Sequence, residues 1–247
     1  RYPASITKIM TLLVAVENST MDEKVTFTET GVRNVTADSS NIGTKVGEVL
    51  TMEECLHALI IQSANDVAAQ IAEHIGGTEQ AFIDMMNQRA SEIGCTNTHF
   101  NNCNGLPDPA HVVSARDMAL ISREAIKNSM FRKIVGTVRY EIPPTNKHAD
   151  PTPLNNHHQM ISAYKGRQNL YEYCIGGKTG WTSDAGNTLV TFAEKDGMTL
   201  ICVVMNCTAG GQYADTRTLF DYCFENFKLY NVAQNETRYE NTNKQEN

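Results

Sequence analysis

Ser5-Ile6-Thr7-Lys8-Ile9-Met10-Thr11-Leu12-Leu13-Val14-Ala15-Val16 lies almost at the start of the chain, and its reading decides the rest. The stretch from Ile9 to Val16 is apolar except at Thr11, too short to span a bilayer, and reads as part of a buried helix over 5–18. Ser5 falls in the first turn of that helix. Lys8, three residues on, projects from the same face. A serine hydroxyl is a poor nucleophile until a base takes its proton. An amine one helical turn away does so if burial and a neighbouring cation lower its pKa. The helix N-terminus also sets the Ser5 backbone N–H where negative charge is stabilised.

Ser-x-x-Lys alone is weak, because Ser162-Ala163-Tyr164-Lys165 repeats it. Two further motifs add weight by their order. Ser63-Ala64-Asn65 follows a helical pattern that Thr51-Met52-Glu53-Glu54 opens as a capping box. It is preferred to Ser39-Ser40-Asn41 because a break between two helices can aim side chains into a cleft. Ser63 reads as a proton relay between Lys8 and a leaving amine. Asn65 reads as a hydrogen-bond partner of substrate backbone or of Lys8, or as a helix N-cap. Lys178-Thr179-Gly180 occurs once, on a strand-like segment flanked by Gly176-Gly177. Glycines there would leave room for a substrate backbone against the strand edge. Lys178 and Thr179 would hold an anionic group, and the N–H of Trp181 would join that of Ser5 in an oxyanion hole.

The middle of the chain is helical over roughly 50–135. Met52–Gln62 reads as one helix. A second runs to Ile75 and stops at Gly76-Gly77, a third is capped by Thr78 and ends before Gly94, and Ser114 caps a fourth. Residues 95–113 are loop. Beyond Val135 the pattern changes to strands: Val138–Ile142, then Tyr171–Gly177, Thr188–Glu194 and Met198–Met205, with a polar loop over 143–158. Lys195-Asp196-Gly197 is a hairpin signal. Asp215–Phe227 reads as a closing helix, and the tail from Gln234 is polar. Tight turns join antiparallel strands, so the expected class is α+β: an antiparallel sheet flanked by helices, with a helical insertion. The expected organisation is one catalytic domain over 1–229 and a tail or linker over 230–247.

The chain has 247 residues, 41% hydrophobic and 20% charged, with a net charge of −7. The acidic balance speaks against nucleic acid as partner. Seven cysteines cannot all pair within the chain. Cys55, Cys202 and Cys223 read as core residues, while Cys95 and Cys103 bracket a loop and leave a disulfide open. No CxxC pair occurs and His157-His158 has no third ligand at suitable spacing. The expectation is therefore no metal and no cofactor.

Pro3-Ala4-Ser5-Ile6-Thr7-Lys8-Ile9-Met10-Thr11 resembles the nucleophile segment of the low-molecular-weight D-alanyl-D-alanine carboxypeptidases, penicillin-binding serine peptidases. Asn97-Thr98-His99-Phe100, Gly105-Leu106-Pro107-Asp108 and Ala115-Arg116-Asp117-Met118-Ala119 resemble the same family. So does Gly177-Lys178-Thr179-Gly180-Trp181-Thr182 followed by Ala185-Gly186. The resemblance runs over about 1–229. It implies the DD-peptidase/serine β-lactamase fold and removal of the terminal D-Ala from peptidoglycan stem peptides. Ser5 would be acylated, Lys8 would be general base and Ser63 the relay. Asn65, Lys178, Thr179, Gly180 and Trp181 would bind substrate. Stem peptides ending in D-Ala-D-Ala and β-lactam antibiotics are the implied partners, and the cell surface or periplasm the implied location. Relatives carry a hairpin ahead of the nucleophile helix, so the opening at Arg1 reads as a chain lacking those strands. Peripheral membrane association would rest on further segments. Some relatives grip the carboxylate with an arginine after the last strand. The nearest position here is Gln212, with Arg217 on the following helix.

Two other functions compete. A serine β-lactamase of the commonest type places a glutamate ahead of Leu-Asn, but Pro151-Thr152-Pro153-Leu154-Asn155 carries proline there. A non-catalytic cell-wall binder would not need Ser5, Lys8, Ser63 and Lys178 together. Transpeptidase and endopeptidase activities differ from carboxypeptidase only in acceptor or cross-link.

Overall fold

The computed structural model describes residues 1–230, and the polar tail beyond lies outside them. The nucleophile segment does not enter an α-helix directly. Ala4–Thr7 winds as a 3-10 turn and α1 (Lys8–Asn18) takes over from it. Every residue from 6 to 15 is buried, so α1 is enclosed on all sides over this largely apolar stretch and emerges only at residues 16–18. β1 (Lys24–Thr26) leads to the short α2 (Glu29–Val32) and to β2 (Val49–Thr51), which pairs antiparallel with β1.

α3 (Met52–His57) opens with the expected capping box: Thr51 Oγ1 accepts from the Glu54 N–H at 3.2 Å, and Glu54 Oε2 accepts from the Thr51 N–H at 2.7 Å. The helix expected to reach Gln62 as a single α-helix changes at Ala58–Gln62 to a π-turn. α4 (Asn65–Gly76) ends at left-handed Gly77, and α5 (Glu79–Ile93) starts at the Thr78 cap. α6 (Ala115–Ala125) starts at the Ser114 cap. α7 (Ser129–Val135) is a helix the sequence pattern did not separate; Asn128 Oδ1 accepts from the Met130 and Phe131 N–H groups to begin it.

The polar stretch over 143–158, expected as loop, contains a strand. β3 (Arg139–Ile142) pairs antiparallel with β4 (Thr152–Asn155). Pro153 hid β4 from a propensity reading, but a two-stranded ribbon consists of edges, where a missing N–H is tolerated. The main sheet has the order β5 (Cys174–Thr182), β6 (Gly186–Lys195), β7 (Met198–Cys207), all antiparallel. β5 begins three residues later than expected and runs through the whole Lys-Thr-Gly motif, because its glycines answer to close backbone neighbours rather than to a turn. The β6–β7 hairpin closes at Asp196 (φ 52°) and Gly197 (φ 79°), the left-handed pair of a type I′ turn. α8 (Gly211–Asn226) closes the fold.

Period-two alternation splits the sheet between two apolar layers. Val190 and Phe192 join the large core around α1, with Phe192 edge-on to Phe131 of α7 at 5.9 Å. Leu189, Ala193, Cys202 and Val204 face the other way, onto Tyr213 and Phe220 of α8. This is the expected α+β architecture. All seven cysteines are free thiols, so the disulfide left open between Cys95 and Cys103 is not formed. Among the described residues no helix is long and apolar enough to cross a membrane.

Candidate active site

Ser5 sits in the 3-10 turn just after Ala4, whose φ of 52° is unusual for a residue with a Cβ. Such strain, roughly 1–2 kcal/mol, persists only where the surroundings enforce it. Three contacts do so. Thr188 Oγ1 donates to Pro3 O at 2.8 Å. On one side a Cβ on Gly105, itself at φ 91°, would overlap the Ala4 carbonyl and reach Ser5 N at 3.0 Å. On the other, a Cβ on Gly180 would reach Ser5 N at 2.8 Å. The turn is thus held between the loop before α6 and strand β5. This corrects the reading of the flanking glycines. Gly180 yields to the Ser5 backbone, Gly176 to Val135 and Gly177 to His158 and Val190, so the protein itself fills the space on those faces.

Lys8 is fully buried, and its Nζ has three partners. It lies 3.2 Å from Ser5 Oγ, 2.6 Å from Asn65 Oδ1 and 2.6 Å from the Asn104 carbonyl. Burial lowers its pKa to about 7, against weaker opposing effects of Cys103 and Asp66. Lys178, also buried, is pushed well below the ordinary lysine range by burial and then by repulsion from Lys8. Its Nζ donates to the Thr179 carbonyl at 2.8 Å, so it stands behind the cleft wall.

Ser63 and Asn65 reach the site through the π-turn. Its extra residue per turn ends in Ser63 at φ 62°, ψ 31°, and redirects the chain into α4. Asn65 is fixed at three points: its N–H donates to Ser40 O at 2.8 Å, its Nδ2 to Ser39 Oγ at 2.8 Å, and its Oδ1 accepts from Lys8. The structure shows the expected lysine contact and no side-chain cap for α4. Next to it, buried Asp66 collects the Ile42 and Thr44 N–H groups and the Thr44 hydroxyl, and so anchors the segment behind Ser39 and Ser40.

A cleft runs along β5 on both sides of Ser5. One half, about 300 Å³, is lined by Ser5, Ser63, Thr179, Gly180 and Trp181 together with His157, Gln159, Lys165 and Gln212. The other, about 290 Å³, lies between Ser5, Asn65, Asn104 and Trp181. The eight residues singled out from sequence therefore converge: six line the cleft, while Lys8 and Lys178 sit beneath it. The Trp181 side chain is 66% exposed at its rim. Arg217 is turned away, donating to Leu170 O at 2.8 Å and lying over Tyr171, and Gln212 occupies the cleft position. Sequence reasoning gave no role to the Asn104 carbonyl, because a backbone acceptor leaves no trace in a side-chain motif. It also passed over Lys165, in the discarded second Ser-x-x-Lys, and His157. Burial, with Lys165 and Lys178 nearby, holds His157 at a pKa of about 4. Among the described residues no group of three or more His, Cys, Asp or Glu is placed to hold a metal.

The family model of the D-alanyl-D-alanine carboxypeptidases, peptidase family S11, matches residues 1–209. The Bacillus subtilis D-alanyl-D-alanine carboxypeptidase DacF is 33% identical over 92% of this chain, which spans 57% of that protein. The Streptomyces K15 D-alanyl-D-alanine carboxypeptidase is 31% identical over 91% of the chain and 79% of its own length. In structure, the Streptomyces K15 DD-transpeptidase superposes with a TM-score of 0.82 at 30% identity, covering 91% of this chain and 88% of the other. The D-alanyl-D-alanine carboxypeptidase from Mycobacterium tuberculosis superposes at 0.79, with 29% identity over 91% and 82%. With the three motifs gathered at one cleft and the family model spanning most of its length, the chain belongs to the D-alanyl-D-alanine carboxypeptidase family of serine peptidases.

Proposed function

We propose that the protein is a serine D-Ala-D-Ala carboxypeptidase that releases the terminal D-Ala of peptidoglycan stem peptides through an acyl-enzyme on Ser5. The observation that carries this reading is the triple coordination of Lys8. A neutral amine has two hydrogens and one lone pair. Asn65 Oδ1 and the Asn104 carbonyl, both at 2.6 Å, take the hydrogens, which leaves the lone pair for Ser5 Oγ. With a pKa of about 7, the neutral form is well populated at neutral pH.

In the first step Lys8 takes the Ser5 proton as Oγ attacks the penultimate D-Ala carbonyl. The developing oxyanion lies at the Ser5 and Trp181 N–H groups, between the 3-10 turn and β5. Ser63 lines the same half-cleft as Ser5 and relays the proton to the departing D-Ala amine. It makes no hydrogen bond to Lys8, and substrate would complete that link. Water then hydrolyses the ester with Lys8 again as base. The terminal carboxylate binds at Thr179 in the half-cleft that also holds Lys165 and Gln212. Lys178 behind it supplies positive potential that an incoming anion would restore to full charge.

The β-lactamase alternative is disfavoured by the placement of its would-be base. Pro151 directly precedes β4 (Thr152–Asn155), which pairs with β3, and the whole segment lines neither half of the cleft. Among the described residues the one carboxylate at the cleft is Asp38, at the far rim. An acyl-enzyme formed with a β-lactam is therefore expected to persist. A peptidoglycan stem peptide as substrate supports a site of action outside the cytoplasm, at the cell wall. Incubation with a peptide ending in D-Ala-D-Ala tests the reading: release of one D-Ala per peptide is expected, and folded protein that releases none would contradict it.

A further inference from the structure

His111 lies outside the three motifs, yet it is built into the support of Lys8. It is 1% exposed, and its ring packs against Phe100 at 5.7 Å. Its Nδ1 accepts from the Asn101 N–H at 2.9 Å and the Asn102 N–H at 3.3 Å. Two backbone donors at Nδ1 fix the tautomer: the proton sits on Nε2, which donates to Thr7 Oγ1 at 2.8 Å. Thr7 is the residue before Lys8. Asn101 and Asn102 open the segment whose Asn104 carbonyl accepts from Lys8 Nζ at 2.6 Å. Asn102 Oδ1 extends the chain of contacts by accepting from the Gly105 N–H at 2.7 Å, and Gly105 abuts Ala4 and Ser5. One imidazole thus ties the nucleophile turn to the loop that caps the lysine from the other side.

We propose that His111 is a positioning residue for acyl transfer: its neutral ring clamps the 101–105 loop onto the nucleophile turn and so keeps the Asn104 carbonyl as the second acceptor of Lys8. The inference rests on Lys8 being the base for Ser5. The clamp has two consequences. It holds one Lys8 hydrogen away from Ser5, which orients the lone pair. It also holds the loop against the fully buried Lys8 amine, where the Asn104 carbonyl contacts Nζ and the buried Cys103 lies close enough to act on it electrostatically. The ring must stay neutral for this, because a protonated Nδ1 cannot accept from two amides. Burial secures that, with Lys8 and His99 acting in the same direction and Asp108 opposing, and holds the ring at a pKa of about 4.

The test is the pH dependence of acylation by a β-lactam, followed by stopped flow in the native protein and in His111→Ala and His111→Asn. In the native protein the rate should rise with a midpoint near that of Lys8. His111→Ala should slow acylation at neutral pH by at least about tenfold and move the midpoint up by about one unit or more, as water reaches the amine. His111→Asn keeps an acceptor where Nδ1 stood and should recover much of both. Acylation of His111→Ala with native rate and midpoint would overturn the inference and leave the proposed function standing. A native protein that is never acylated would instead remove the proposed function. If His111→Ala does not fold, nitrogen-15 NMR of the native protein decides: an Nε2–H ring that stays neutral to below about pH 5 supports the clamp. An Nδ1–H tautomer, or charging near the ordinary histidine value, would overturn it.

Discussion

Lys8 Nζ lies 3.2 Å from Ser5 Oγ, although the two residues belong to different helical segments, a 3-10 turn and the first residue of α1. In a 3-10 turn side chains three residues apart eclipse, so Lys8 stacks under Ser5 on one face. Ser5 is partly exposed at the cleft, while Lys8 lies wholly in the core. One residue meets substrate while its partner is stripped of water, and that difference produces a base from a lysine.

The first prediction concerns pH. Lys8 must be neutral to accept a proton, so acylation should be slow under acid conditions and rise through about pH 7. The stability effect has its own sign. The folded-state pKa is depressed from 10.5, so the folded protein binds fewer protons than the unfolded chain between about 7 and 10.5. The Lys8 contribution therefore becomes more favourable as pH rises through that window. Lys8→Met should abolish acylation yet raise the urea midpoint, most below pH 7, by removing a buried charge.

Asn65 supports the amine from the α4 side. Asn65→Ala leaves a buried N–H without its acceptor and frees Ser39, and acylation should slow by about 10²-fold. Far-UV circular dichroism should show a native fold, since the segment behind Ser39 keeps its Asp66 anchor.

Gly105 has a packing role that a side chain defeats. At φ 91° and in contact with the Ala4 carbonyl, Gly105→Ala should destabilise by about 2 kcal/mol or more and displace the Ser5 turn. Calorimetry and acylation rate should fall together.

Acid should loosen the fold through histidine. His111, His157 and His158 all have folded pKa values of about 4, lowered mainly by burial from 6.5. The unfolded chain takes up these protons first. Stability should therefore fall as pH drops from about 6.5 to about 4, and His158→Gln should flatten that slope in urea titrations. His158 shows the reason in its contacts: Nε2 meets the Val190 carbonyl and Thr191 Oγ1, while Nδ1 is buried without a partner.

Lys165 is exposed at the half-cleft assigned to the substrate carboxylate, where Gln212 supplies no charge. Lys165→Ala should raise KM for a D-Ala-D-Ala peptide by about two- to fivefold with kcat nearly unchanged, in keeping with an exposed ion pair. A peptide amidated at its C-terminus should show no such difference.

Much of this was legible in the sequence because the deciding signals are local. The Thr51 capping box, the Thr78 and Ser114 caps, and the Asp196-Gly197 turn specify their elements within a few residues. Three motifs in a fixed order located the cleft before any geometry. What escaped depends on contacts distant in the chain. β4 carries a proline that only its edge position tolerates. The extent of β5 is set by glycines facing Val135, His158 and Ser5. The π-turn at Ala58–Gln62 reads as ordinary helix until the following residue adopts a left-handed backbone. The Asn104 carbonyl and the His111 ring act through backbone groups, which no spacing of side chains records.

Acylation of Ser5 is decided by intact-mass and peptide-mapping mass spectrometry after incubation with benzylpenicillin at neutral pH. One penicilloyl group on the peptide bearing Ser5, absent in Ser5→Ala and in Lys8→Met, is the predicted result. A folded, unmodified native protein, or an adduct on Ser63 or Ser162 instead, would contradict it.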